Sequence, residues 1–182
     1  GGTHYGTMQY NLATQAQRQA GSAFKPVIYL AALEQGYSPT DLLEDGPYKR
    51  GSWEVRNFGW TERGTVTLQD ALAYSVNTST VRLAEKAGIN AIIRTAEKLG
   101  FRTPPRDLSI ALGTMETTLL QLVRAFAMIG NQGIAIKPYG ILEVRTNKGQ
   151  ILYKRDAFVV NEVMDPSLLQ KIHPLLQGVV NY

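Results

Sequence analysis

The sequence contains no cysteine, which excludes disulfides and thiolate metal sites. A cysteine-free chain suits an oxidising envelope compartment, where stray thiols are a liability. Histidine is almost missing too. His4 and His173 are far apart and lack acidic or imidazole companions at metal-ligand spacing, so they read as surface or packing residues. No metal and no cofactor are expected. Long apolar runs are absent: none is long enough to cross a bilayer, and no signal peptide is visible. Any membrane anchoring is therefore expected only through segments outside this chain. Nor is charge concentrated. The net charge is +4, and Lys49-Arg50 and Lys154-Arg155 are the only adjacent basic pairs, with no aromatic residues interleaved. This reads as a solvated surface, and no nucleic acid is expected as a partner. Glu54, Glu62 and Glu116 have nothing to fix a separation between them, so paired-carboxylate glycosidase chemistry is unsupported.

What is present suits a globular chain with a sizeable core: 182 residues, 44% hydrophobic and 19% charged. It opens on Gly1-Gly2 and stops at Tyr182 within a helical pattern lacking a cap signal, so residues 1–182 read as one domain, itself a piece of a longer protein. Residues 1–19 read as an extended polar lead. Ser22 to Gln35 predicts a helix apolar nearly all round, hence central and buried. Pro26 confines its start to the first turn, and Gly36 stops it. Tyr37 to Thr67, carrying four Gly, two Pro and both Trp, reads as a long surface excursion. Its Trp53, Phe58 and Trp60 either rim a cleft or pack the loop onto the body. Thr67, with Asp70 three residues on, predicts a helix N-cap. That helix breaks around Ser75 to Thr78, resumes from Val81 to Lys86 and ends at Gly88. Ala91 to Leu99 is a further helix, closed by Gly100, and Thr103-Pro104-Pro105 is loop. Thr117 is expected to cap another helix that ends at Gly130. Tyr139 to Arg145 and Gln150 to Lys154 predict a hairpin turning at Asn147-Lys148-Gly149. Asp165 or Pro166 opens a last helix. The fold class is α+β, helix-dominated.

The sharpest local signal is Gly21-Ser22-Ala23-Phe24-Lys25-Pro26. Ser22 and Lys25 are three apart at a helix start, so one turn puts them on one face, within reach of each other. A serine hydroxyl needs an adjacent base to act as a nucleophile at neutral pH. Lysine is such a base only when its ammonium is destabilised, and burial does that. A charge inside an otherwise apolar helix is expensive without a function or a partner. The helix N-terminus favours the anionic transition state of acyl transfer at the serine. The second signal is Ser75-Val76-Asn77, a hydroxyl and an amide two apart at a helix break, able to project into one cleft.

Ser22-Ala23-Phe24-Lys25 followed by Ser75-Val76-Asn77 resembles the first two motifs of the penicillin-binding transpeptidases. The likeness extends through Gln17 to Gly21, Tyr29 to Glu34, Val66 to Tyr74, and Ala111-Leu112-Gly113 with the helix that follows, and is greatest with the class A, bifunctional peptidoglycan synthases. It implies a partial penicillin-binding/β-lactamase-like fold: the helical lobe and a hairpin, with most of the five-stranded sheet missing. It also implies catalytic roles for Ser22, Lys25, Ser75 and Asn77. Ser22 would attack the penultimate D-alanine carbonyl of a peptidoglycan stem peptide, with Lys25 as base. Ser75 would shuttle a proton, and Asn77 would hold Lys25 or a substrate amide. An amine from a second stem would resolve the acyl-enzyme. β-Lactam antibiotics would acylate the same serine. The site of action would be the bacterial cell envelope, on the extracytoplasmic face of the inner membrane, with other cell-wall synthesis proteins as further partners. The family's third motif, Lys-Thr/Ser-Gly, occurs nowhere in the sequence. It supplies an oxyanion donor, so this segment alone is expected to be nearly inactive. The alternatives are a D,D-carboxypeptidase or β-lactamase-type hydrolase, in which water resolves the acyl-enzyme, and a non-catalytic binding or sensor homologue.

Overall fold

Helix α1 (Lys25–Glu34) is the buried axis around which the rest is arranged, and every residue from Lys25 to Leu33 is buried. The computed structural model describes residues 4, 6–102, 104–157 and 161–181, without the side chain of Trp60. Gly1, Gly2, Thr103 and Tyr182, named above, lie outside the described residues, as does the placement of the Trp60 ring. A tight 3-10 turn, Gly21–Phe24, leads into α1. The predicted helix thus begins as a narrower turn, and Pro26 falls in the first turn of the α-helix proper, where its missing N–H is harmless. Complete burial follows from the sequence being apolar on every side. Each large aliphatic side chain so removed from water contributes roughly 1.5–3 kcal/mol.

Among the described residues, six α-helices are accompanied by eight short strands in four antiparallel pairs, a helix-rich α+β arrangement. α3 (Asn77–Ala87), α4 (Ile89–Lys98) and α6 (Pro166–Asn181) pack against α1, and α2 (Leu68–Ala73) packs against α6. The core is one continuous cluster, from Phe24 in the 3-10 turn to Leu175 in α6. Tyr29 and Met128 lie fully inside it, and His173 sits against the Ile129 carbonyl at 3.1 Å.

Several predicted boundaries move, each for a local reason. The excursion from Tyr37 to Thr67 is not bare loop. β2 (Leu42–Asp45) pairs with β5 (Gly64–Thr67), and β3 (Tyr48–Arg50) with β4 (Trp53–Val55). The alternation in β2 puts Leu43 and Asp45 inward and Leu42 and Glu44 outward. A carboxylate in an inward position masked the pattern. Trp53 stacks edge-on against Tyr48 at 6.0 Å and packs on the core, whereas Phe58 is fully exposed. α3 resumes directly at Asn77 instead of Val81. α5 (Leu119–Gly130) is capped by Thr118, not Thr117, in a reciprocal box with Gln121, because Thr117 is occupied in β6 (Glu116–Thr117). The hairpin of β7 (Glu143–Arg145) and β8 (Ile151–Lys154) is shorter than expected.

Two contacts fix the turn that carries Ser22. β1 (Arg18–Gln19) pairs with β6, and beyond it Ala20 N–H donates to Met115 O at 3.0 Å and Gly21 N–H to Gly113 O at 2.9 Å. Gly113 is left-handed, with φ 67°. A Cβ there would stand 2.0 Å from the Gly21 carbonyl oxygen, so only glycine lets the two backbones meet this closely.

Candidate active site

The four candidate residues come from two chain segments about fifty residues apart. The 3-10 turn presents Ser22 to solvent, and three residues later α1 carries the Lys25 side chain into the interior, where the residue is 1% exposed. Ser75 and Asn77 come from the junction of α2 and α3. Ser75 is left-handed, φ 55°. Its N–H donates to Leu72 O at 3.0 Å and Val76 N–H donates to Ala71 O at 2.9 Å, the two bonds of a helix C-cap that glycine usually makes. That cap ends α2 and turns the Ser75 hydroxyl and carbonyl toward Lys25.

Lys25 Nζ donates to Ser75 O at 2.5 Å, Ser75 Oγ at 2.9 Å and Asn77 Oδ1 at 2.8 Å. The Ser75 hydroxyl donates in turn to Ser22 Oγ at 3.1 Å. Among the described residues, no hydrogen bond joins Ser22 directly to Lys25 and no carboxylate forms an ion pair with Lys25. The expected face-sharing of Ser22 and Lys25 is therefore mediated by Ser75. Burial without a counter-charge lowers the Lys25 ammonium to a pKa of about 8.

These partners restrict where a neutral amine can point. The Ser75 carbonyl and Asn77 Oδ1 only accept, so they retain the two N–H bonds of the deprotonated amine. Its lone pair then faces the one partner able to donate, the Ser75 hydroxyl. The arrangement can pass a proton between Ser22 and Lys25 in either direction through a single intervening oxygen.

The comparisons with known proteins bear on this geometry. The family model for the penicillin-binding protein transpeptidase domain matches residues 3–182. The chain belongs to that family. It is 38% identical to penicillin-binding protein 1A of Aquifex aeolicus over 84% of this chain and 22% of that protein. The structure of penicillin-binding protein 1A from Haemophilus influenzae superposes with a TM-score of 0.88, at 26% identity, over 96% of this chain and 32% of that one. The PonA1 protein of Mycobacterium tuberculosis, solved in complex with penicillin V, gives 0.78 at 26% identity, over 88% of this chain and 46% of that one. The chain thus spans about a fifth of the length of the curated relative. It is a segment of a class A penicillin-binding transpeptidase domain, a serine acyltransferase family acting in peptidoglycan synthesis.

Sequence reasoning missed the residues that stand behind Asn77 in this candidate site. The Asn77 Nδ2 donates to the Arg56 carbonyl at 3.1 Å. Asn57 Oδ1 accepts the N–H groups of Asn77 at 3.0 Å and Thr78 at 3.2 Å. Asn57 Nδ2 donates to Asp45 Oδ1 at 2.6 Å. An asparagine in an apparent loop gave no signal. Asp45 takes an inward position in β2, but four residues are too few for that alternation to register in the sequence. A cavity of about 780 Å³ between Tyr139, Val144, Tyr153 and Arg155 involves none of the four candidate residues. Among the described residues, no group of His, Asp or Glu is placed to hold a metal ion, and no helix is long and apolar enough to cross a membrane.

Proposed function

We propose that the full-length protein carrying this sequence is a D,D-transpeptidase that cross-links peptidoglycan stem peptides through an acyl-enzyme on Ser22, and that β-lactams acylate the same residue. The reading is carried by one observation: the unbroken run from Lys25 Nζ through Ser75 Oγ to Ser22 Oγ, at 2.9 and 3.1 Å. With Lys25 neutral, Ser22 Oγ attacks the penultimate D-alanine carbonyl. The Ser22 proton passes to Ser75 Oγ as the Ser75 proton passes to Lys25 Nζ. Collapse of the tetrahedral intermediate reverses the relay, protonates the departing D-alanine amine and leaves the acyl-enzyme. An amine from a second stem then attacks, giving up its proton along the same path and releasing Ser22. Asn77 holds Lys25 in register throughout. The Ser22 N–H is one oxyanion donor. A second would come from the strand bearing the family's Lys-Thr/Ser-Gly motif. Loss of one such donor costs about 10²–10³ in rate, so these 182 residues alone would acylate very slowly. Action at the extracytoplasmic face of the bacterial envelope follows from this substrate.

The test is covalent labelling. A fluorescent penicillin incubated with the full-length protein should label one serine in this domain, and Ser22→Ala should abolish the label. Labelling that survives the substitution would move the nucleophile elsewhere.

A further inference from the structure

Helix α3 starts at Asn77 with no side-chain cap of its own, although its first N–H groups need acceptors. Asn57, twenty residues earlier in the chain, fills that place. Its Oδ1 takes the N–H groups of both Asn77 and Thr78. An amide of this kind works only one way round, because the opposite flip would aim its NH₂ at two N–H donors. The flip is set by Asp45. This buried carboxylate accepts only, and its Oδ1 receives Asn57 Nδ2 at 2.6 Å and the Thr78 hydroxyl at 2.6 Å, while Oδ2 receives the Arg63 backbone N–H at 2.9 Å. Asn57 Nδ2 also reaches Thr61 O at 2.9 Å. Burial alone would raise the Asp45 carboxyl, but the bonds from Thr78, Asn57 and the Arg63 backbone outweigh it and hold it below the ordinary range. Asp45 therefore remains an acceptor at neutral pH.

The peptide carbonyl that immediately precedes Asn57 is that of Arg56, and it accepts Asn77 Nδ2. Fixing Asn57 thus fixes the carbonyl that orients the Asn77 amide. Only with Nδ2 on Arg56 does Oδ1 face Lys25. The polarity runs in one direction: carboxylate, Asn57, the start of α3 and the Arg56 carbonyl, Asn77, Lys25. The chain from Asp45 to Asn57, which lies between the two motifs in sequence, thus bears on which way the Lys25 amine is held.

We propose that Asn57, locked by the carboxylate of Asp45, is a positioning residue for acyl transfer, acting through Asn77 on Lys25. This rests on the proposed Ser22 acylation chemistry and adds residues to it that act through Asn77. Displacing a positioned group by a fraction of an ångström to one ångström costs up to about 10²-fold in rate.

The experiment resolves penicillin acylation of the full-length protein into reversible affinity, acylation rate constant and labelled fraction, beside thermal unfolding. Asn57→Ala and Asp45→Ala should lower the rate constant about 10- to 100-fold with affinity and labelled fraction little changed. Asp45→Asn should recover most of that loss, since its single oxygen can keep the Asn57 and Thr78 bonds and forfeits only the one from Arg63. A lower labelled fraction with a normal rate constant would make both residues merely structural and overturn the proposal, as would a normal rate constant in folded Asn57→Ala. Should the alanine variants not fold, Asn57→Ser, whose shorter side chain cannot span both helix N–H groups, is read the same way, and a normal rate constant there also overturns it. Labelling retained in Ser22→Ala would instead defeat the underlying assignment of the nucleophile.

Discussion

Serine 75 occupies a backbone conformation that suits it poorly. At φ 55° an L-residue other than glycine or asparagine pays about 1–2 kcal/mol, and the two cap bonds at this helix end need only a backbone. The side chain, then, is what distinguishes this position: its hydroxyl stands between Ser22 and Lys25. Ser75→Gly separates the two roles. The backbone strain disappears while the unfolded chain gains freedom, so stability should change by no more than about 1 kcal/mol. The acylation rate constant should fall by about 10²-fold or more, as for loss of a proton-transfer group. A near-normal rate constant at unchanged stability would remove Ser75 from the proton route. How much of this was legible differs by residue. Ser22 and Lys25 could be paired by local spacing alone. Their meeting with Ser75 and Asn77 is a contact between distant segments, and only the resemblance to a family brought it into view. Asp45 and Asn57 were invisible because their role lies in tertiary hydrogen bonds, which leave no period in the sequence.

Elements here are placed by backbone meeting backbone as much as by side-chain packing. The 3-10 turn bearing Ser22 is held by the β1–β6 pair and by the contact of Gly21 with Gly113. These two glycines share a left-handed φ, yet their surroundings differ. A Cβ on Gly21 meets nothing within 4 Å, whereas one on Gly113 meets Gly21 O, C and N at 2.0, 2.6 and 2.7 Å. Gly21→Ala should therefore carry only the conformational cost of about 1–2 kcal/mol. Gly113→Ala adds a clash with backbone that has no rotamer to yield, so it should destabilise by more than about 3 kcal/mol and shift Ser22. Urea unfolding of the two variants decides this, and equal losses would show that the turn relaxes freely. The helices were largely legible because their signals are local: Pro26, the Thr67–Asp70 cap and the closing glycines. The short strands between residues 42 and 67 were not, since three- and four-residue strands rich in glycine turns present too few positions for alternation to register. The start of α3 failed for another reason, its cap being supplied by Asn57 from outside the helix.

Across the whole molecule, one helix serves as both the centre of the core and the carrier of Lys25, the proposed base. Everything on α1 from Pro26 to Leu33 is buried and, but for the hydroxyl of Tyr29, apolar, which is why the helical lobe and its α+β class could be read from composition and pattern. Lys25 is the exception within that helix, and it should register in the stability of the whole fold. Its pKa is about 8 in the folded protein against an ordinary 10.5. Below pH 8 both the folded and unfolded states hold the proton, and the folded state bears the full cost of a buried ammonium. Between the two values the unfolded chain binds more protons than the folded one, so stability rises with pH. Above 10.5 the cost is gone. The span corresponds to about 3 kcal/mol at most. Tyr29 acts in the opposite sense: burial, partly offset by its bond with Thr80, raises its hydroxyl above the usual range, so the fold loses stability as pH climbs past the ordinary tyrosine value. The two are separated by comparing the protein with Lys25→Met, in which the tyrosine contribution is unchanged. The difference in unfolding free energy, wild type minus variant, should climb steadily from pH 8 to pH 10.5. A flat difference would mean that Lys25 keeps its proton in the folded state across this range, and a lysine so held could not take the proton from Ser22.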